Sequence, residues 1–508
     1  MTRRATGKIL FIFFMVLSAL AALAVPAPAP AAETALYSGQ PAKYVFFFIG
    51  DGMAQPQRTS TEMYLAAKEG KPHGSVKLTM SEFPAQGLMT THAANSIIPD
   101  SADTATAMAC GVKTNSGMLG VTPDGKRAVN VSEQAKQKGM KVGIISTVSI
   151  DHATPAGFYA HQLSRDYYHE IGHGLANSGF DFFGGGGLKD PTGKKAKDGK
   201  PQGDVVAAAK AAGYKIVTGK EDFLKLKKED GKVIVFNEWL QDSKAMPYMI
   251  DRSDKDLNLA DLVAKAAEML DGPQGFFIMA EAGKVDWACH ANDAVSTVTD
   301  MLDLDRGIQA ALKFREKHPD ETMILVAGDH ECGGLTIGFA GTKYNNFFNI
   351  LDSQKTSFTQ FSDKILADYK KSHAANYKFD DVKPLITASF GLKFEGDEKD
   401  RLVLDANEVK QVEAAFERSM KGEEEASKDQ ASYLLYGGYE PLTVTVTHIL
   451  NQKAGLGWTS YSHTGVPVTV SAIGVGAESF NGYYDNTDIA KKLRAVMGLP
   501  TDAQVASN

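Results

Sequence analysis

Four short runs in this 508-residue chain are apolar almost throughout and end in residues that carry chemistry. Residues 43–50 lead to Asp51, 141–148 to His152 and Thr154, 275–280 to Glu281, and 322–327 to Asp329 and His330. The runs are too short for helices, and their nearly continuous apolar character is that of strands buried on both faces. Helical stretches at 130–137, 261–270 and 302–317 separate them. The pattern predicts an α/β fold, a three-layer α/β/α sandwich around a large, mostly parallel sheet. In such sheets ligands bind beyond the carboxyl ends of the strands, where most of the polar clusters fall.

The segment Pro99-Asp100-Ser101-Ala102-Asp103 opens a stretch of mostly small residues that runs to Gly111 and closes with Lys113. It reads as a helix with the Ser101 hydroxyl at its N-terminus, where unpaired backbone N–H groups favour an alkoxide or a phosphate. An ordinary capped, buried Ala-rich helix would look the same; the company of the other clusters decides for chemistry. Asp286 and His290 stand i, i+4 in Asp-Trp-Ala-Cys-His, which on one helical turn brings both to a single ion. His463 lies in Ser-His-Thr-Gly, just before a strand-like run at 466–475. Mixed imidazole and carboxylate ligands suit Zn²⁺, whereas the all-oxygen set Asp51, Thr154 and Glu281 suits Mg²⁺. The glycines flanking Asp51 leave its carboxylate open to approach from several sides.

The N-terminus places Arg3, Arg4 and Lys8 before the apolar run 9–25 and a Pro/Ala segment, the pattern of a secretory signal peptide over 1–31. The expected location is therefore periplasmic or secreted, with no stable membrane span after cleavage. Cleavage would lower Lys+Arg from 54 to 51 against 61 Asp+Glu, taking the formal charge from -7 to -10. A chain this acidic carries no general nucleic-acid-binding module. The remainder divides into a first core segment at 32–341, a more charged insertion or cap at 342–445, and a returning core segment at 446–508. Residues 184–203, rich in Gly and Lys, read as a mobile loop. The three cysteines are too few for a disulfide framework; buried free thiols are the default, with a Cys289–Cys332 bridge left open.

In order and spacing these motifs resemble the metal-dependent alkaline phosphatases of the alkaline phosphatase superfamily. The matching pieces are Gly50-Asp51-Gly52-Met53, Pro99 through Lys113, His152-Ala153-Thr154-Pro155, Arg165, Glu281 through His290, Gly328 through Glu331, and Trp458 through Gly465. The resemblance implies that Ser101 is the nucleophile and that Arg165 grips the phosphoryl oxygens. It implies two zinc ions, one held by Asp286, His290 and His463, the other by Asp51, Asp329 and His330. A magnesium ion would take Asp51, Thr154 and Glu281. Ser101 would coordinate metal as it reacts, and small phosphate monoesters of broad range would be the substrates. Family members are commonly homodimers. They vary at the positions of His152 and Trp287, where some bacterial members have Asp and Lys, so these two residues are expected to modulate the third site. A phosphodiesterase of the superfamily is the nearest alternative, and a non-catalytic periplasmic phosphate- or metal-binding protein a more remote one. A sulfatase would need the Pro and Arg of its nucleophile motif, which Ser101-Ala102-Asp103-Thr104-Ala105 lacks.

Overall fold

Strand β1 (Tyr44–Gly50) is buried along its whole length. In the computed structural model, which describes residues 36–373, 376–422, 429–502 and 505, its Tyr44, Phe46 and Phe48 enter one core and its Val45, Phe47 and Ile49 another. Alternate side chains of a strand point to opposite faces, so a run with no polar position requires helices on both sides of the sheet. Against one face lie Ser101–Cys110, Val131–Gln137 and Thr487–Met497; against the other lie Leu259–Leu270 and Ala294–Arg315. The layers are those of an α/β/α sandwich. The expected signal peptide lies outside the described residues.

The remaining strands, in chain order, are β2 (Ala85–Thr90), β3 (Lys141–Ser146), β4 (Phe182–Gly185), β5 (Lys215–Thr218), β6 (Val233–Phe236), β7 (Phe276–Ala282), β8 (Thr322–Gly328), β9 (Glu331–Cys332), β10 (Thr336–Ile337), β11 (Leu456–Gly457), β12 (His463–Thr464), β13 (Val468–Gly474) and β14 (Gly482–Asp485). Ten of them form one sheet in the order β14-β2-β13-β8-β1-β7-β3-β4-β6-β5. Only β13 runs against its two neighbours; the other pairings in this sheet are parallel. Two short ribbons, β10–β11 and β9–β12, stand apart from it.

Two expectations are changed by the structure. The glycine run at 184–187 is not the start of a mobile loop: Gly184 and Gly185 close β4 and all four glycines are buried. A Cβ at Gly185, where φ is 142°, would lie 1.7 Å from the Ser146 carbonyl oxygen, so the glycine is there to let two strand ends touch. Further on, Asp190 ties the turn down by accepting from the backbone N–H groups of Lys194 and Lys195. The segment at 342–445, in turn, packs a core of its own through Phe348, Leu351, Phe361, Val382 and Phe416, against Tyr64, Val295 and Val298. The helix Pro441–Ala454 supplies Leu442, Val446 and Ile449 to that core and runs straight through residue 445, so the insertion shares an element with the returning chain.

Candidate active site

The parallel register brings the chemistry to one level. Ile49 pairs with Glu281, Gly50 with Gly328, and Ser146 with Glu281, so Asp51, Glu281 and Asp329 emerge side by side at the carboxyl ends of β1, β7 and β8. Glu281, expected to end its strand, is the penultimate residue of β7. Gly52 turns the chain with φ 72°, and a Cβ there would meet the Asp286 Cα at 2.9 Å. The need is close packing rather than open approach to Asp51. The freed backbone N–H of Gly52 donates to Asp329 Oδ1 at 3.0 Å.

Among the described residues three groups bring ligand atoms within 4.8 Å of one another: Asp286, His290, His463 and Cys332; Asp51, Asp329 and His330; and Asp51, Glu281 and His152. Asp286 and His290 come from the helix Lys284–His290, with Asp286 Oδ2 3.2 Å from His290 Nε2. His463 is delivered by β12, whose register sets it opposite Cys332 of β9. His330 Nε2 lies 3.3 Å from Asp51 Oδ1 and 3.2 Å from Asp329 Oδ2. Thr154 Oγ1 donates to Asp51 Oδ2 at 3.3 Å, which places it with the third group.

These groups fit cations on chemical grounds. The Tyr461 carbonyl takes the Nδ1–H of His290 at 2.7 Å, and the Pro99 carbonyl that of His463 at 2.8 Å. Each imidazole is thereby turned with Nε2 inward, the orientation of a metal ligand held by a carbonyl behind it. The two Nε2 atoms face one another at 3.1 Å, a contact that needs a shared cation or proton. Burial works against charge on both rings, but Asp286 lifts His290 to about 9, while burial and the neighbouring imidazoles push His463 to about 4. Burial also raises the carboxyls of Glu281 and Asp329 to about 7, and burial with the charges of Asp329, Asp286 and Glu281 holds Asp51 well above its usual range. Asp51 Oδ1, Glu281 Oε1 and Asp286 Oδ1 are buried without a hydrogen-bond partner. Crowded, desolvated carboxylates with orphan oxygens are stable as anions only beside positive charge.

Ser101 is the first residue of the helix Ser101–Cys110, which is buried throughout. Asp100 caps it, accepting from the Ala102 N–H at 2.7 Å, and Asp103 accepts from the Asp100 N–H at 2.8 Å. Gly111, with φ 75°, ends it. The cap fixes the direction of the Ser101 side chain, whose Oγ lies 3.3 Å from His330 Nε2. Arg165 reaches the same place: Nη1 donates to Asp100 Oδ2, and Nη2 lies 2.9 Å from His152 Nε2. Burial would lower the Arg165 guanidinium, but Asp100 beside it keeps it charged. For His152, burial followed by the charges of Arg165 and Lys189 pushes the imidazole well below its usual range. Trp287 lies with its ring 5.7 Å from that of His152.

Sequence reasoning passed over several partners. Ser146 donates to Glu281 Oε2, and Thr104 Oγ1 lies 3.5 Å from Asp329 Oδ2. Both sit in segments already singled out, the end of a strand and the first turn of the Ser101 helix. Cys332 joins the first ligand group with its thiol 3.6 Å from the Asp286 carbonyl oxygen. All three cysteines are buried and free.

A sheet that gathers candidate cation sites about one capped serine hydroxyl has the frame that metal-assisted hydrolysis needs. Comparison with known proteins gives its family. The sequence profile described as Alkaline phosphatase matches residues 42–499, and the chain belongs to that family. Alkaline phosphatase 3 of Bacillus subtilis is 32% identical over 489 residues, 94% of this chain and 93% of that protein. The crystal structure of a cold-active alkaline phosphatase from a psychrophilic Shewanella species superposes with a TM-score of 0.73 at 25% identity, covering 89% of this chain and 99% of that one. A histidine-to-glutamate mutant of the TAB5 enzyme, solved with magnesium in its M3 site, is also 25% identical, with a TM-score of 0.60 over 92% of this chain and 100% of that one. The protein is an alkaline phosphatase, and phosphate monoesters are its substrates. Among the described residues no helix is long and apolar enough to cross a membrane.

Proposed function

We propose that this enzyme hydrolyses phosphate monoesters by way of a phosphoserine at Ser101, with two zinc ions and one magnesium ion as resident cofactors. The observation that carries the reading is the Ser101 hydroxyl, fixed by a helix cap within 3.3 Å of His330 in a buried carboxylate–imidazole cluster. Asp286, His290 and His463 would hold one zinc, Asp51, Asp329 and His330 the other, and Asp51, Thr154 and Glu281 the magnesium. Magnesium in the M3 site of the TAB5 relative supports a third cation site. Bound there, the ions supply Lewis acidity for the serine oxygen, the phosphoryl oxygens and the departing oxygen.

The chain's own residues do the rest. The Ser101 oxygen gives its proton to solvent and forms a bond to phosphorus as the bond to the departing alkoxide breaks in line with it, and the alkoxide takes a proton from water to leave as the alcohol. Water then attacks the phosphoserine from the side the alcohol has left, releasing inorganic phosphate and restoring the hydroxyl. Arg165, braced by Asp100, presents its remaining N–H groups to the phosphoryl oxygens in a planar fork. The positive end of the Ser101 helix dipole lies toward the same charge. His152 and Trp287 would tune the third site: with no carboxylate at the first position magnesium retention should be weak, and with no ammonium at the second phosphate inhibition should be weak. The leader at 1–31 would direct the enzyme to the periplasm or the medium, where a homodimer is the expected state.

Ser101→Ala tests the nucleophile. Metal content should be unchanged and kcat/KM for an aryl monoester should fall by several powers of ten, leaving weak direct attack by water. Near-normal rates in a metal-replete variant would overturn the assignment.

A further inference from the structure

Beside the first ligand group lies a cavity of about 370 Å³ lined by Asp242, Ser243, Trp287, His290, Phe358 and Tyr439. We infer that it is a leaving-group subsite, and that it takes esters whose alcohol carries a planar aromatic ring, such as a nucleobase. The inference rests on the proposed mechanism in one respect, the direction in which the alcohol departs. Ser101 stands against His330 in the Asp51–Asp329–His330 group. In-line displacement therefore carries the departing oxygen toward the opposite group, Asp286–His290–His463. His290 belongs to that group and also forms part of the cavity wall, so an alcohol leaving past it enters this space.

Four of the six lining side chains are aromatic rings, Trp287, His290, Phe358 and Tyr439. Trp287 and His290 lie one turn apart on the helix Lys284–His290. Phe358 and Tyr439 both come from the chain inserted after residue 341, with their rings 5.8 Å apart and nearly perpendicular. Phe358 is held in place from several sides. Its backbone N–H donates to Asp293 Oδ2 at 3.0 Å, the Ser357 N–H donates to Asp251 Oδ1 at 2.9 Å, and its ring packs 5.4 Å from that of Tyr248. Rigid, preplaced rings suit stacking on a flat ligand, because little side-chain freedom is lost on binding.

The rim has a separate peculiarity. Ser243 and Lys244 are consecutive non-glycine residues in the left-handed region, with φ 46° and 66°. Such strain persists only where the surroundings enforce it. The turn is held by the Ala245 N–H donating to the Asp242 carbonyl at 2.9 Å and the Gly187 N–H to the Lys244 carbonyl at 2.8 Å, and the Asp242 side chain accepts from Lys284, a fully buried ammonium 3.6 Å from the centre of the Tyr248 ring and 5.0 Å from that of Trp287. The turn so held presents the Asp242 carboxylate and the Ser243 hydroxyl at the mouth, acceptors for the amino or hydroxyl groups of a nucleoside. The slot also gives the inserted segment a task, that of supplying two of the aromatic walls.

Adenosine 5′-monophosphate and ribose 5-phosphate test this directly, since both release a primary alcohol of the same kind and only one bears a base. In the metal-replete enzyme kcat/KM for the nucleotide should exceed that for the sugar phosphate by about tenfold, a typical effect of stacking one base. Phe358→Leu, which keeps the apolar volume, and Tyr439→Leu should each remove most of that excess while ribose 5-phosphate changes by no more than about twofold. Inhibition by inorganic phosphate should not move in either variant. Equal rates for the two esters in the wild-type enzyme, or parallel losses for both in the variants, would overturn the subsite. Failure of the enzyme to turn over either ester would instead overturn the reading of the reaction itself.

Discussion

Arg165 shows how a single side chain can be half committed before substrate arrives. One edge of its guanidinium is taken by Asp100 and His152, and the whole side chain is only 20% exposed. In the proposed role, a fork braced in this way would lose little freedom on meeting a phosphoryl group, so much of its contribution would be uniform binding of ester, transition state and product. Arg165→Ala should raise KM and weaken inhibition by inorganic phosphate by roughly tenfold or more, with a smaller fall in kcat than Ser101→Ala causes. A phosphate inhibition constant that stays put would show that the guanidinium faces elsewhere. Arg165 was legible in the sequence only through family resemblance, because nothing in its neighbours marks it as functional. The candidate ligands were legible more directly: an acid or imidazole at the end of one apolar run is commonplace, but their recurrence at the ends of several such runs is not. Their supporting partners, Ser146, Thr104 and Cys332, were not, because a serine, threonine or cysteine near a strand end is commonplace until a neighbour is seen.

At the scale of elements, apolar runs and helical patterning marked the central strands and several of the helices, and the structure adds their caps. Asn130 and Asn258 cap Val131–Gln137 and Leu259–Leu270 by accepting from backbone N–H groups three residues on, as such residues do. The helix Ala294–Arg315 starts eight residues before the expected 302, because its first turns are buried under the inserted segment and carry no one-sided apolar stripe. The same helix holds a buried polar seam. Arg252 pairs with Asp303 at 2.6 Å and stands 3.9 Å from Asp300, whose Oδ2 accepts from the Met249 N–H at 3.1 Å. Burial raises the Asp300 carboxyl to about 7 despite Arg252. A carboxyl raised on folding adds stability that is complete at low pH and is lost as the pH climbs toward its folded value. Asp300→Asn cannot titrate and keeps an acceptor for Met249. Its stability relative to wild type should therefore improve by roughly 2 kcal/mol between pH 5 and pH 8, as read by denaturant melts at the two values. A difference that does not change with pH would show that Asp300 is ionised throughout.

For the molecule as a whole, the ligand groups act as ties between regions far apart in sequence. Asp51, Asp286, Asp329 and His463 come from four separate segments, and no covalent cross-link joins them, since the cysteines are free. Exhaustive chelation should abolish activity and lower the unfolding temperature by on the order of 10 °C, because several buried carboxylates are then left without counter-charge. Zinc together with magnesium should restore both, and an unchanged melting curve in protein shown to be metal-free would refute that role for the ions. The layered architecture was readable from the chain because burial on both faces leaves a strong mark on strand sequence. The association of 342–445 with the core was not, since its contacts with Tyr64, Val295 and Val298 join residues with no local signal in common.

The ribbon that sets His463 opposite Cys332 also has a consequence in time. A ribosome adds residues in order, and His463 is made 412 positions after Asp51 (463 − 51). While the chain is still growing it owns the serine, the arginine and most of the acids, yet its first ligand group lacks the imidazole that completes it. Any ion that needs Asp286, His290 and His463 together therefore waits until His463 has been made. Until then, by its own chain order, a growing alkaline phosphatase holds its serine and most of its acids together with an unfinished first ligand group.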